Sequence, residues 1–246
     1  MIGTLQAMEK IKLGVMNGAE EEIANVVKSV AINKGLNIEL ISFSDYTLPN
    51  EALENGELDA NAFQHNQYLN TQIKTHGYHI VAIGFTIIEP LGLYSKKIKT
   101  LDMIPVGAKI AIPNDPSNAE RALNLLVDSG LIKIQNRNSN PSIFDIVDNP
   151  KKIKFIELDS ALLSRSLIDL DAAMINTNHA ITGGLDLYKD TIIRESCNDN
   201  PYGNIIAVRE IDRNKPVFKT LIEIYKSPEV TNFLKIRFKG AILPIM

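Results

Sequence analysis

The run Asp59–Tyr68 (Asp-Ala-Asn-Ala-Phe-Gln-His-Asn-Gln-Tyr) carries three ring-bearing side chains, Phe63, His65 and Tyr68, within six residues. Rings of this kind line pockets for apolar groups. The run Ile112–Arg121 reads as a strand, a turn and a capped helix that delivers Arg121 one turn in. A guanidinium presents a planar fork that takes both oxygens of a carboxylate. Rings plus one arginine suggest a pocket for a small zwitterion with an apolar tail. Blander readings stand beside this one. By type and spacing alone Arg121 fits a solvated helix arginine equally well, the rings fit ordinary core packing, and His65 fits a satisfied buried histidine.

Other chemistries are poorly served. His65, His76, His79 and His179 lack Asp, Glu or Cys companions at ligand spacing, so no metal is expected. There is no G-x-S-x-G, no P-loop and no histidine–cysteine pairing, and Gly14 and Gly18 are too sparse for a dinucleotide fingerprint. Neither cofactor nor catalysis is expected. An enzyme built on this chain would have to draw its acid–base pair from His65, Asp45 and Glu89. Cys197 is the single cysteine and cannot form an internal disulfide. With no histidine beside it, it reads as an incidental loop residue rather than a reactive thiol.

The 246 residues allow one large or two modest domains. Hydrophobic residues at 45% and charged residues at 22% are ordinary for a globular chain. A net charge of −3, without a long Lys/Arg run, argues against nucleic acid as a partner. No stretch approaches the roughly 20 apolar residues that cross a bilayer. Met1–Glu9 lacks the basic and apolar regions of a signal peptide. Residues 1–9 are expected to lie outside the fold, disordered or added to the natural chain.

Strand and helix signals alternate from there on. Lys10–Val15 predicts a strand ending at Asn17-Gly18, and Ile23, Val26, Val27, Val30 and Ala31 fall on one helical face. Ile38–Phe43 predicts a strand, Asn50–Asn55 a short helix, Leu58–Phe63 a strand, Gln67–Thr75 a helix and His79–Gly84 a strand. The pattern resumes with a strand at Lys109–Pro113, then a helix opened by a Ser117/Glu120 capping box. A helix over residues 141–149, a strand at Lys154–Leu158, a helix at Ser160–Leu167 and a strand at Ala172–Ile175 follow. Asn204–Val208 predicts a strand; Pro216–Tyr225 and Pro228–Phe238 predict helices. Such repetition argues for an α/β chain of two lobes with mostly parallel sheets. Ligands of open α/β sheets bind beyond the carboxyl ends of strands, where Asn17, Tyr46, Phe63–Tyr68, Asn114, Arg121 and Asn176 fall.

At these residues the chain resembles the methionine-binding lipoproteins (the NlpA/MetQ group), substrate-binding proteins of ABC importers. The resemblance rests on Gly14–Glu20, Phe43–Leu53, Asp59–His65, Tyr94–Ile98, Ile112–Pro116, Ala173–Asn178 and Pro201–Asn204, and runs from about residue 10 to 240. It implies a two-lobe periplasmic-binding-protein fold, type II-like, with a ligand cleft between lobes and crossings near Pro90–Tyr94 and Pro201–Asn204. Lobe 1 would comprise residues 10–90 plus 205–246 and lobe 2 residues 91–204. Ligand contacts are implied at Tyr46, Phe63, His65, Tyr68, Arg121, Asn176 and Asn204, with Asn114, Asn17 and Tyr202 as secondary candidates. On this reading Arg121 takes the α-carboxylate, Asn176 and Asn204 offer carbonyls to the ammonium, and the rings wrap the thioether. Asparagines at strand ends are otherwise ordinary turn residues. The implied function is an extracytoplasmic receptor that hands methionine to an ABC permease and ATPase complex. L-methionine is the first expectation, and D-methionine or a methionine-containing dipeptide the alternatives. The implied place is the periplasm or cell envelope, with a lipid anchor on the full-length precursor whose cysteine this chain lacks. Replacing Arg121 by Ala is expected to leave folding intact and abolish binding.

Overall fold

The computed structural model describes residues 8–137 and 141–246. These form two compact units: described residues up to Ile88 together with Tyr202–Met246, and Glu89–Pro201. Of the expected N-terminal tail, residues 1–7 lie outside the described residues, whereas Glu9 already opens the first strand.

The first unit runs β1 (Glu9–Met16), α1 (Ala19–Ile32), β2 (Leu36–Phe43), α2 (Leu48–Glu54), β3 (Ala60–His65), α3 (Asn66–His76) and β4 (Ile80–Ile88). In α1 the buried positions include Ile23, Ala24, Val27 and Ala31, the apolar face that the spacing predicts. Gly77, at φ 74°, closes α3 in the left-handed conformation that glycine adopts without steric cost.

The second unit holds β5 (Gly92–Tyr94), β6 (Lys109–Pro113), α4 (Pro116–Asp128), β7 (Lys133–Ile134), β8 (Ile146–Asp148), β9 (Lys154–Leu158), α5 (Leu163–Ser166), β10 (Ala172–Ile175), α6 (Thr177–Thr182) and β11 (Thr191–Arg194). The chain then completes the first unit with β12 (Gly203–Arg209), α7 (Pro216–Tyr225), α8 (Pro228–Phe238) and β13 (Leu243–Pro244).

The first unit's sheet has the order β13-β4-β12-β3-β1-β2, and the second unit's β11-β5-β10-β6-β9. β1, β2 and β3 run parallel, while β12 lies antiparallel between β3 and β4. In the second sheet β6 is parallel to both β9 and β10, and β5 is antiparallel to β10 and β11. Both sheets are therefore mixed, with a parallel half. Leu53, Leu58, Leu69, Ile80 and Ile205 fill the core of the first unit, and Leu93, Ile110, Ile112, Leu123, Leu126 and Met174 that of the second. Each such side chain, fully buried, contributes about 1.5–3 kcal/mol relative to exposure.

Three local expectations need correction. Helix α4 is capped by Asp115, not Ser117: Pro116 takes the first helical turn, and Asp115 Oδ1 accepts from Asn118 N at 2.9 Å. The helix expected over residues 141–149 is a single 3-10 turn, Ile143–Asp145, with a true capping box at Ser142 and Asp145. β-Branched Ile146 and Val147 then leave the helix for β8, which pairs with β7. Ser160–Leu167 likewise breaks into a 3-10 turn, Ser160–Leu162, and the four-residue α5.

Candidate functional site

In the first unit β3 is buried along its whole length, flanked by β1 and β12. It nevertheless carries Asn61, Gln64 and His65. Burying amides without partners is costly, and here they satisfy one another. Asn50 Nδ2 donates to Gln64 Oε1 at 2.8 Å, Gln64 Nε2 donates to Asn50 Oδ1 at 2.6 Å, and Asn61 Nδ2 donates to Asn50 Oδ1 at 2.9 Å. This network ties α2 to the strand that delivers Phe63 and His65.

His65 ends β3 and caps α3, its Nδ1 accepting from Tyr68 N at 3.1 Å. That bond leaves the proton of the neutral ring on Nε2. Tyr68 Oη donates to Tyr46 O at 3.0 Å, which fixes the Tyr46 loop. The rings meet edge to face or tilted: Tyr46–Phe63 centroids lie 5.9 Å apart, Tyr46–Tyr68 5.8 Å and Phe63–Tyr68 6.1 Å. Pairs in this range contribute about 0.5–1.5 kcal/mol beyond their buried area. Met16, at the end of β1, completes the cluster and is fully buried. Tyr202 packs edge-on against His65 at 5.2 Å, and Asn204 stands opposite His65 in the β3–β12 pairing. Thus the first unit brings together Tyr46, Phe63, His65, Tyr68, Tyr202 and Asn204. Asn17 follows β1, half-buried, with its backbone N donating to Phe43 O at 2.9 Å. Asp45 is spent on a turn, Oδ1 accepting from Thr47 N at 2.9 Å and Leu48 N at 3.3 Å, which explains its presence without acid–base chemistry.

In the second unit Arg121 projects from α4 and is 3% exposed. Its Nε donates to Glu195 Oε1 at 2.8 Å, and Nη2 donates to Glu195 Oε2 at 2.5 Å and Glu89 O at 2.8 Å. Glu195 Oε2 also accepts from Leu91 N at 2.9 Å and Asn200 Nδ2 at 3.1 Å. One carboxylate thus binds the arginine and both ends of the segment that forms this unit. The pairing changes the expectation for Arg121→Ala, because removing the guanidinium leaves Glu195 buried beside no cation.

Asn176 follows β10 and is the N-cap of α6, yet its side chain makes no capping bond. Its Nδ2 donates to Asn118 Oδ1 at 2.9 Å, and Asn118 Nδ2 donates to both Asp115 oxygens at 3.0 and 3.1 Å. Asn176 Oδ1 is buried and has no hydrogen-bond partner among the described residues. Leaving such an acceptor unsatisfied costs about 1–3 kcal/mol, a cost that a bound donor removes. Burial pushes the Asp115 carboxyl up, opposed by the bonds it accepts from Asn118 and Ser117. Asn114, just after β6, is exposed, its backbone N donating to Leu158 O at 2.9 Å.

Met16, Asp115, Asn118 and Glu195 belong to these clusters and were not among the expected site residues. Met16 could have been found from its place at the carboxyl end of β1. Asn118 falls three residues after Asp115, the spacing of a helix cap and its partner. Glu195 follows β11, a strand with no alternating signal, and its sequence context reads as loop. Cys197 nearby is partly buried, and that burial pushes its thiol up, away from the thiolate that nucleophilic chemistry requires. His76 stacks on Tyr78 at 5.1 Å, and His79 Nδ1 lies 2.9 Å from Glu54 Oε1. Among the described residues no group of three or more His, Cys, Asp or Glu side chains is placed to hold a metal ion, and no helix is long and apolar enough to cross a membrane.

Comparison with known proteins agrees along nearly the full chain. A D-methionine-binding lipoprotein, MetQ, of Salmonella typhi is 46% identical over 94% of this chain and 86% of its own length. The structure of a nutrient binding protein from Burkholderia cenocepacia bound to methionine matches with a TM-score of 0.93 and 48% identity, covering 96% of this chain and 100% of that one. An ABC transporter periplasmic substrate-binding protein from Coxiella burnetii matches with a TM-score of 0.92 and 48% identity over 96% of this chain and 100% of its own. A family model described as NlpA lipoprotein matches residues 11–246, and with these relatives it places the chain in the NlpA lipoprotein family.

Proposed function

We propose that this protein is a non-catalytic receptor that binds methionine and delivers it to the permease and ATPase of an ABC importer at the cell envelope. The observation that carries the reading is the 48% identity, over 96% of the chain, to a binding protein whose structure holds methionine. The side chains gathered in each unit support it. Tyr46, Phe63 and Tyr68, packed on buried Met16, are the soft, polarisable groups proposed to meet a thioether. Arg121 supplies a cation for the α-carboxylate, and Asn176 Oδ1 a buried acceptor for the ammonium. His65 and Asn204, side by side in β3 and β12, complete the proposed contacts. The relatives named for D-methionine keep both enantiomers in play as ligands. We assign the residues up to about 88 and from about 202 to one lobe and the remainder to the other, and take the family's lipid anchor as the tether to the envelope.

The test is mass spectrometry of the small molecules released when purified protein is denatured. Released methionine, resolved on a chiral column, establishes the receptor and its stereochemistry together. Release of a different amino acid or peptide moves the substrate, and turnover of any candidate amino acid would overturn the non-catalytic reading.

A further inference from the structure

We infer that Asp115 and Asn118 are positioning residues that fix the polarity of the Asn176 amide, and so make this position selective for a ligand ammonium. The inference rests on the methionine-receptor reading.

Asp115 Oδ1 accepts from a backbone N–H, so that oxygen is an acceptor whatever the charge on the carboxyl. Asp115 is held in place as the cap of α4, accepting from Asn118 N at 2.9 Å and from Ser117 Oγ at 2.9 Å. The Asn118 side-chain group facing both Asp115 oxygens, at 3.0 and 3.1 Å, must therefore be its NH2. The other branch of that amide is then the carbonyl, and the Asn176 atom 2.9 Å from it must be a donor, Nδ2. Asn176 is left with Oδ1 as its other branch, buried and without a partner among the described residues. A free asparagine turns either face to a ligand; this one is held by its donor, with the acceptor left unspent. The backbone sharpens the point. Asparagine at an N-cap ordinarily spends its oxygen on the first helical N–H groups, yet Asn176 makes no such bond in α6. Its oxygen is withheld from the role its position favours.

A positively charged amine satisfies that oxygen; a hydroxyl does so more weakly, and a methylene leaves it orphaned. The chain Asp115–Asn118–Asn176 thus converts a remote carboxylate into a requirement for an amine, without bringing a second full charge to the ligand.

The experiment compares wild-type protein with Asn118→Ala and Asp115→Asn. Calorimetric titration uses methionine of the bound hand, the des-amino analogue 4-(methylthio)butanoate, and methionine amide. The two variants should lose at least about tenfold of the preference for methionine over the des-amino compound, while the preference for methionine over its amide stays within about twofold. A readout independent of ligand accompanies it: the side-chain amide resonances of Asn176, whose exchange with solvent is slow in the wild type and fast in both variants. Melting curves check folding, and if one variant fails to fold the other decides. Folded variants that retain the wild-type preference and slow exchange overturn the inference. Should the wild type bind neither enantiomer, the receptor reading falls, while the exchange of the Asn176 amide still decides whether the chain of bonds exists.

Discussion

Replacing Glu195 by Ala removes a carboxylate that accepts from Arg121 Nε at 2.8 Å, Arg121 Nη2 at 2.5 Å, Leu91 N at 2.9 Å and Asn200 Nδ2 at 3.1 Å. The side chains of the pair are 3% and 11% exposed, so water does little to replace the lost partner. Breaking a buried pair by deleting one member costs about 3–5 kcal/mol, most of it from the charge left behind. For a chain of this size 1 kcal/mol moves the melting temperature by about 2–4 °C. The variant should therefore melt about 6–20 °C lower by circular dichroism or calorimetry. The double variant Arg121→Met/Glu195→Leu removes both charges and fills the space, so it should recover most of that loss. Methionine affinity should fall in Glu195→Ala, since the guanidinium loses what orients it, and should not return in the double variant. A melting temperature within about 2 °C of the wild type for Glu195→Ala, or a double variant no more stable than Glu195→Ala, would refute the claim that the pair is buried and mutually dependent.

Phe63→Ala opens a cavity beside fully buried Met16 and should cost about 3–5 kcal/mol in chemical denaturation. Methionine affinity should fall with it, whereas des-amino and amide analogues should lose affinity in equal measure. Asp212 is held below its ordinary carboxyl value of 3.8, chiefly by the hydrogen bond from Lys215, against the cost of burial and with help from Arg209. A lowered folded value means stability that is present above about pH 4 and is lost as pH falls through it. The unfolding free-energy difference between wild type and Asp212→Asn should therefore be constant near neutrality and shrink toward zero in acid titration. A difference that grows in acid would contradict the sign. Gly183→Ala places a methyl 2.6 Å from Ser164 Oγ and 3.0 Å from the backbone oxygen of His179. Overpacking of this kind costs about 1–3 kcal/mol and should appear in urea unfolding.

The alternating units were legible in the sequence because their signals are local. The apolar spacing of Ile23, Val27 and Ala31 and the β-branched run at β2 specify helix and strand without reference to the rest of the chain. β11 and β13 were not legible: Thr191–Arg194 and Leu243–Pro244 are short edge strands whose identity comes from pairing with β5 and β4. Residues 141–149 misled for the same reason, since the Ser142 cap is real but Ile146 and Val147 are claimed by β7. The aromatic set stood out because Phe63, His65 and Tyr68 crowd one strand–helix junction. Glu195 did not. It lies 74 residues from Arg121, and nothing in its neighbours announces a buried carboxylate. The Asn176–Asn118 bond spans 58 residues and was likewise beyond a local reading.

Calorimetric titration of refolded, ligand-free protein with L- and D-methionine tests the central claim most directly. The account predicts saturable one-to-one binding of at least one enantiomer, lost when the amine or the carboxylate of the ligand is removed. Absence of binding by both enantiomers to a folded protein would contradict it.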